Sequence, residues 1–397
     1  MMCTNFARGP LRLIRGSARL RSHSRLQPVA GDPKGRLRSP SSATRRTAHA
    51  TGSALLLAGL ALGLGLAVSA ILPGVAAAQS TSGAASLLIT PGARADGMGR
   101  AFVAVPTDAT ANWWNPAALA HVDGRVISLM HVKLVPDLAD DVYYENLAYA
   151  MRLPGWGGVG LTLIYLGYGK SMATDTEGNE RGWFTSYEVS PQVSIGTEVL
   201  PGIAAGLTLK YVYVMLAPAW ALDDEEAGTG DTFGADIATL IRLKELVPSL
   251  PIPVNLGLNV QNLGPKIAYI SRDEADPIGR NMKLGIGAQV LNLTNLTGIV
   301  SYDYNKSLVY VNGLDEIFAK GDEEPIHNVG AEMSYSDFVS LRVGYIQDRA
   351  GDIRDPTFGL GLLVDIGASS SLAFDYASVP QAKVLDRVNK FSISFRF

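Results

Sequence analysis

The sequence predicts an all-β fold, a transmembrane antiparallel β-barrel of about 14 strands behind an export leader, and three observations predict it. Apolar side chains recur with period two in segment after segment from Arg125 to Phe397. The opposite face of those segments carries mostly Gly, Ala, Ser and Asn, while charges collect between them. A basic stretch followed by an uninterrupted apolar run opens the chain.

Taken in order, residues 1–52 read as a basic, disordered leader. Eleven of the 34 Lys and Arg residues fall before residue 51, against Asp32 alone of the 37 acids, although the whole chain carries only −3. The rest of the chain is therefore strongly acidic. Residues 53–78 read as the apolar core and cleavage site of a signal peptide: Ser53–Leu72 is apolar or small throughout, and Ala76-Ala77-Ala78 comes soon after, with Ala76 and Ala78 as the small residues a peptidase needs before the cut. A run of about 20 residues also has the length of a membrane anchor. The helix-breaking Pro73-Gly74 favours the signal peptide. The one cysteine, Cys3, lies in the leader, which removes disulfide scaffolds, thiolate metal sites and cysteine nucleophiles from the mature part.

Residues 123–397 read as the barrel. In Ile203–Met215, the residues Ile203, Leu207, Leu209, Tyr211 and Tyr213 share one face, while Ala204, Gly206, Thr208 and Lys210 share the other, because successive side chains of a strand point to opposite sides. The last segment repeats the pattern, with Phe391, Ile393, Phe395 and Phe397 against Lys390, Ser392, Ser394 and Arg396. Candidate strands fall near 125–133, 143–151, 158–167, 184–197, 202–216, 231–242, 252–262, 281–291, 296–305, 326–336, 338–347, 357–366, 369–377 and 389–397. A soluble sandwich turns its apolar face inward and varied polar residues to water. Here the second face is small and polar, which suits a lipid-facing apolar band around a polar lumen. Closure is then required, since hydrocarbon offers no partner to a free strand edge. Tight connectors such as Leu153-Pro154-Gly155 and Leu200-Pro201-Gly202 alternate with long ones such as Ser171–Arg181, Pro218–Asp231, Lys266–Arg280 and Ser307–Pro325, the usual asymmetry between periplasmic and external ends. Tyr143, Tyr144, Trp156, Trp183, Tyr302, Tyr304 and Tyr376 fit either interfacial girdles or plain strand propensity.

Residues 79–122 read as an N-terminal plug, a helical cap on the periplasmic mouth being the plainer alternative. Gly92, Gly97 and Gly99 permit tight backbone, Asn115 before Pro116 favours a turn, and Ala109–Ala111 and Ala117–Ala120 suit short helices. The string Pro91-Gly92-Ala93-Arg94-Ala95-Asp96-Gly97-Met98-Gly99-Arg100-Ala101-Phe102-Val103-Ala104, followed by Trp114-Asn115-Pro116-Ala117-Ala118-Leu119-Ala120, resembles the opening of the PorV/PorQ family, relatives of the FadL-type long-chain fatty-acid transporters. Arg100 and Ala118 depart from it where the family usually has glycine. The terminal Phe391-Ser392-Ile393-Ser394-Phe395-Arg396-Phe397 resembles the aromatic signal read by barrel-assembly machinery. The resemblance implies a FadL-like barrel entered by the plug, with Gly97, Met98, Gly99, Asn115, Pro116 and Ala117 as its gating motif and Phe391, Ile393, Phe395 and Phe397 as the assembly signal. It places the mature chain in the outer membrane.

No catalytic constellation stands out, and nothing calls for a cofactor or a resident metal. Glycines 97 and 99 make no phosphate loop without a preceding strand and a third glycine. His121, His131 and His327 lack metal-ligand spacing and read as loop or lumen residues. The acidic runs Asp223–Glu226 and Asp322–Glu324 read as solvated loops, a divalent cation being the sharper alternative. An acidic mature chain argues against nucleic acid. The expected partners are outer-membrane lipid, the barrel-assembly machinery and, from the resemblance, secreted cargo or secretion-system components. The resemblance thus implies a non-enzymatic barrel for protein export and surface attachment, a type IX secretion-like shuttle. Its alternative is a FadL-like passive transporter of hydrophobic small molecules, and a surface adhesin is a third class.

Overall fold

The computed structural model describes residues 82–222, 228–269, 272–309, 324–367, 369–383 and 385–397. The leader, the apolar run and Ala76 and Ala78 lie outside the described residues, as do Asp223–Glu226 and Asp322-Glu323.

Fourteen strands close on themselves: β1 Arg125–Lys133, β2 Val142–Leu153, β3 Gly157–Thr174, β4 Glu180–Leu200, β5 Ile203–Ala217, β6 Gly228–Arg242, β7 Val254–Leu263, β8 Asn281–Leu293, β9 Leu296–Ser307, β10 Ile326–Tyr335, β11 Val339–Asp348, β12 Ile353–Asp365, β13 Ser371–Val379 and β14 Val388–Arg396. Each pairs antiparallel with its neighbours in sequence, and β1 meets β14 with Leu129 opposite Ile393. No edge is left open, as spanning hydrocarbon requires.

The burial pattern is inside out. Leu129, Leu161, Leu209, Phe233, Leu341, Phe358 and Phe374 are exposed on the outer wall, while Ser128, Thr162, Thr208, Asn259 and Ser301 on the same barrel are buried in the lumen. An aromatic row crosses the outside of β1–β5: His131, Tyr143, Tyr165, Tyr187 and Tyr213 stand side by side at ring spacings of 5.7 to 6.2 Å. Tyr302 and His327 continue the theme on β9 and β10, joined by a 2.7 Å hydrogen bond. His131 and His327 therefore sit on the outer wall rather than in loops or lumen. Tyr144, a girdle candidate from sequence, points the other way and is fully buried, because it is out of phase with Tyr143.

The β3–β4 hairpin departs most from the sequence reading. A long loop over Ser171–Arg181 is replaced by strand up to Thr174 and from Glu180, and the tip is a tight turn in which the Asp175 carboxylate accepts from the Glu177 and Asn179 amides at 2.9 and 2.8 Å. Beyond the apolar band both faces meet water, so alternation no longer marks a strand. In mid-wall, Pro191 has no amide proton to donate, and the β4–β5 pairing passes from Val189–Tyr213 to Gln192–Lys210. Connector lengths keep the expected asymmetry with three exceptions: β6–β7, at the tight-turn end, carries the helical turn Leu243–Leu246, and β3–β4 and β11–β12, at the loop end, are short.

Candidate functional site

A barrel of fourteen strands is too wide for its own inward side chains to fill; cylinders of about eight strands fill, and those of about sixteen hold water channels. The missing material is the segment 84–122, most of whose residues are buried against the inner wall.

The segment runs lengthwise. At the loop end, the Gly83 amide bonds the Pro277 carbonyl at 3.0 Å, and Leu87 is buried with Val212, Val214, Ile267 and Ile278. Glu188 of β4 accepts from the Ala85 and Ser86 amides at 3.1 and 2.8 Å, supplying the cap that the short 3-10 turn Ala85–Leu87 lacks. At the tight-turn end, the 3-10 helix Pro116–His121 leads into β1, and His121 Nδ1 lies 3.0 Å from Arg242 Nη1. Burial first, and the Arg242 cation second, push the His121 pKa below its ordinary value.

Gly97, Met98 and Gly99 end the helix Ala93–Gly97. Gly99 has φ +65°, its amide bonds the Asp96 carbonyl, and the Arg100 amide bonds the Ala95 carbonyl, which is the paired closure of a Schellman stop. Arg100 also has a positive φ, of +65°, so glycine would adopt this turn without strain. The Arg100 side chain holds the turn instead by an ion pair to Asp96 at 3.2 Å. The turn presses main chain against main chain: a Cβ on Gly344 would stand 2.1 Å from the Gly99 nitrogen, and one on Gly330 2.1 Å from the Met98 oxygen. The second motif does the same on the opposite wall. Asn115 caps Ala117 through Oδ1 at 3.1 Å, and its Nδ2 bonds the Val103 and Thr239 carbonyls, tying the segment both to itself and to β6. Pro116 starts the 3-10 helix where no amide is needed. A Cβ on Gly206 would meet the Ala117 nitrogen at 2.1 Å.

Charges hold the remainder. Arg94 donates to both oxygens of Glu332 at 2.8 and 2.7 Å, Glu332 also accepts from Arg342 Nε at 2.6 Å, and Arg342 reaches Asp375 at 2.7 Å. Asp96 pairs with Lys390 Nζ at 2.6 Å. Asp303 accepts from the Phe102 and Val103 amides at 2.7 and 2.9 Å. Lys283 lies 5.0 and 5.2 Å over the rings of Trp113 and Trp114, and Lys210 pairs with Asp236 at 2.8 Å with both side chains fully buried. Beneath this, towards the tight turns, a cavity of about 380 Å³ remains, lined by Arg94, Asp108, Glu332, Arg342, Asp375 and Arg396.

A family model described as "Type IX secretion system protein PorV" matches residues 76–312, more than half of the chain. The chain belongs to the PorV family. No curated protein matches it. Among solved structures it is similar to the Pseudomonas putida toluene transporter TodX, at 12% identity and TM-score 0.48 over 81% of this chain and 99% of that one. It is also similar to the Ralstonia pickettii toluene transporter TbuX, at 12% and 0.47 over 77% and 98%, and to a Pseudomonas aeruginosa FadL homologue, at 10% and 0.40 over 76% and 97%.

In this PorV-family barrel the motif residues do not share one spot. Gly97, Met98 and Gly99 lie against β10–β12, whereas Asn115, Pro116 and Ala117 lie against β4–β6. Phe391, Ile393 and Phe395 form the outward row of β14, and the Phe397 amide and carbonyl pair with Arg125 at 3.0 and 3.1 Å across the closing seam. Sequence reasoning did not single out Glu188, Asp303, Glu332, Arg342 or Asp375. Their signal was a charge in the inward phase of a strand whose other inward residues are small.

Proposed function

We propose that this PorV-family barrel is a non-enzymatic carrier in protein export and surface attachment, acting through its loop-end surface rather than by passing solute through its middle. The supporting observation is the filled lumen, in which the described segment 84–122 is fixed to opposite walls by ion pairs and by main-chain contact at glycines. An apolar solute gains nothing from such a path. It would cross the Lys210–Asp236 and Arg94–Glu332–Arg342 groups, whose desolvation is costly once their partners are disturbed. The gating motif in this reading locks the segment in place, with the tight turns facing the periplasm and the outward row Phe391, Ile393, Phe395 and Phe397 serving barrel assembly.

The test is capture of the tagged protein from outer membranes, with identification of what travels with it. Recovery of large secreted proteins that share a C-terminal sorting domain is the expected result. Recovery of lipid alone, together with saturable uptake of a hydrophobic solute by vesicles containing the barrel, overturns it in favour of transport.

A further inference from the structure

The outer wall of β11–β14 carries a second feature at its loop-end margin. Phe358, Leu360, Leu362 and Val364 point outward along β12, and the unbroken pairing of β11 with β12 keeps Pro356 and Arg354 in the same phase, so Arg354 projects from the lipid-facing side of the wall just beyond the apolar band. Tyr345 of β11 stands opposite Pro356 and, in phase with Leu341 and Val343, points the same way. From the β13–β14 connection comes Arg387. Its Nε donates to Ser378 Oγ at 2.9 Å, and its Nη2 donates to the Pro356 and Ser378 carbonyls at 2.9 and 2.8 Å. These bonds lay the guanidinium 5.7 Å over the exposed Phe358 ring.

Arg387 is thus held against the wall in one orientation through Nε and Nη2, and among the described residues its Nη1 has no hydrogen-bond partner. A cation on a lipid-facing wall is unfavourable near the bilayer midplane and tolerated only towards the boundary. The Arg387 guanidinium is bonded at Ser378, two residue pairs beyond the outward aromatic contact of Tyr376 with Phe391, at 5.2 Å, which puts it at the loop-end margin of the apolar band. Arg354 lies two residues along the strand from the carbonyl that fixes Arg387, about 7 Å at strand rise, within reach of the same bound group. Of the neighbouring acids, Asp352 is engaged by Lys383 at 3.0 Å, Asp355 is on the opposite, lumen-facing phase of β12, and Asp386 precedes Arg387 in the connection. Two guanidiniums and a phenol around an aromatic ring at this level match a tetrahedral oxyanion carried on an acyl-chain body. The oxygens take the forked donors, and the chains lie on Phe358 and Leu360.

We propose that Arg354, Arg387 and Tyr345 form a binding site for the phosphate of a membrane-lipid headgroup, pinning the β11–β14 wall to the anionic lipid around it. The test uses the full-length barrel in nanodiscs of phosphatidylcholine containing a minority of phosphatidylglycerol, with retained lipids counted by native mass spectrometry. Wild-type protein should retain phosphatidylglycerol in preference to phosphatidylcholine. Each of Arg354→Gln and Arg387→Gln should lower that preference roughly fivefold, the effect of one arginine near an anionic surface. Arg387→Lys, which keeps the charge but loses the fork and the ring contact, should fall between. Heat-modifiable migration on gels shows that each variant is a folded barrel. Equal retention of the two lipids, an unchanged preference in the double Gln variant, or full displacement by millimolar inorganic phosphate, which marks a bare anion site, each overturns the proposal.

Discussion

The two walls that hold the inner segment share close main-chain contact but differ in charge. On β3–β6 the residues around Asn112–Leu119 meet glycines: main chain lies where side chains would be, as at Gly206 against the Ala117 nitrogen and Gly158 against the Leu119 oxygen, each 2.1 Å from a hypothetical Cβ. On β10–β14 the turn Gly97–Gly99 also meets glycines, at Gly330 and Gly344, but the residues just before it, around Arg94–Asp96, meet charges: Glu332, Arg342, Asp375 and Lys390. Shape on one side admits no substitution but is indifferent to charge. Charge on the other side tolerates small shifts but demands a complete set of partners, because an ion stripped of its partner in the interior loses far more than the intact pair contributes.

The largest expected effect comes from the shape side. Gly206→Leu sets four carbons where the Ala117 backbone stands, and overpacking of a filled interior costs about 1–3 kcal/mol, here at or above the upper end because the obstacle is main chain. The barrel still closes through its strand ladder, and the inner segment yields. Planar-bilayer recordings should then show ionic conductance well above the wild type, and hydrogen exchange should rise first over 112–121. A variant that migrates as a folded barrel and stays silent would mean that the segment is not what keeps the lumen shut.

The charge side gives the second. Glu332→Gln leaves Arg94 with Asp108, at 3.6 Å, and Arg342 with Asp375, so the loss falls towards the low end of the roughly 3–5 kcal/mol for breaking a buried pair. Exchange protection should drop over 93–100 while 112–121 stays protected, the reverse order to Gly206→Leu. Identical exchange patterns in the two variants would show that the walls act as one and that the distinction drawn between them is wrong.

The same contrast explains what could be read from sequence. Strand count, closure and facing were legible because the lipid side demands large apolar residues at every second position, as in Phe358, Leu360, Leu362 and Val364. The ends of β3 and β4 were not, because past the apolar band nothing constrains alternation. Of the lumen, the shape half was partly legible: the small-residue strings around Gly97 and Asn115 announce close backbone approach. The charge half announced only that Lys210 and Lys390 share a face with small residues. Which acid each one meets depends on pairings such as Asp96 with Lys390 or Arg94 with Glu332, separated by more than two hundred positions, and only barrel closure fixes them.

The smallest effect lies where the shape wall meets solvent, at His121. Its imidazole is pushed below the usual histidine range by burial and then by Arg242, which donates to Nδ1 and so requires the neutral ring. The unfolded chain takes up this proton near pH 6.5, whereas the folded chain does so only at lower pH. Stability is therefore full above that range, falls as the pH drops through about 6.5, and levels off once the folded ring is also charged. Exchange protection over Pro116–His121 measured at pH 7.5 and 5.5 should fall with acid in the wild type, and His121→Gln should flatten the difference without disturbing residues 93–100. A loss of protection at pH 5.5 that persists undiminished in His121→Gln would assign the acid sensitivity to another group and detach this end of the segment from Arg242.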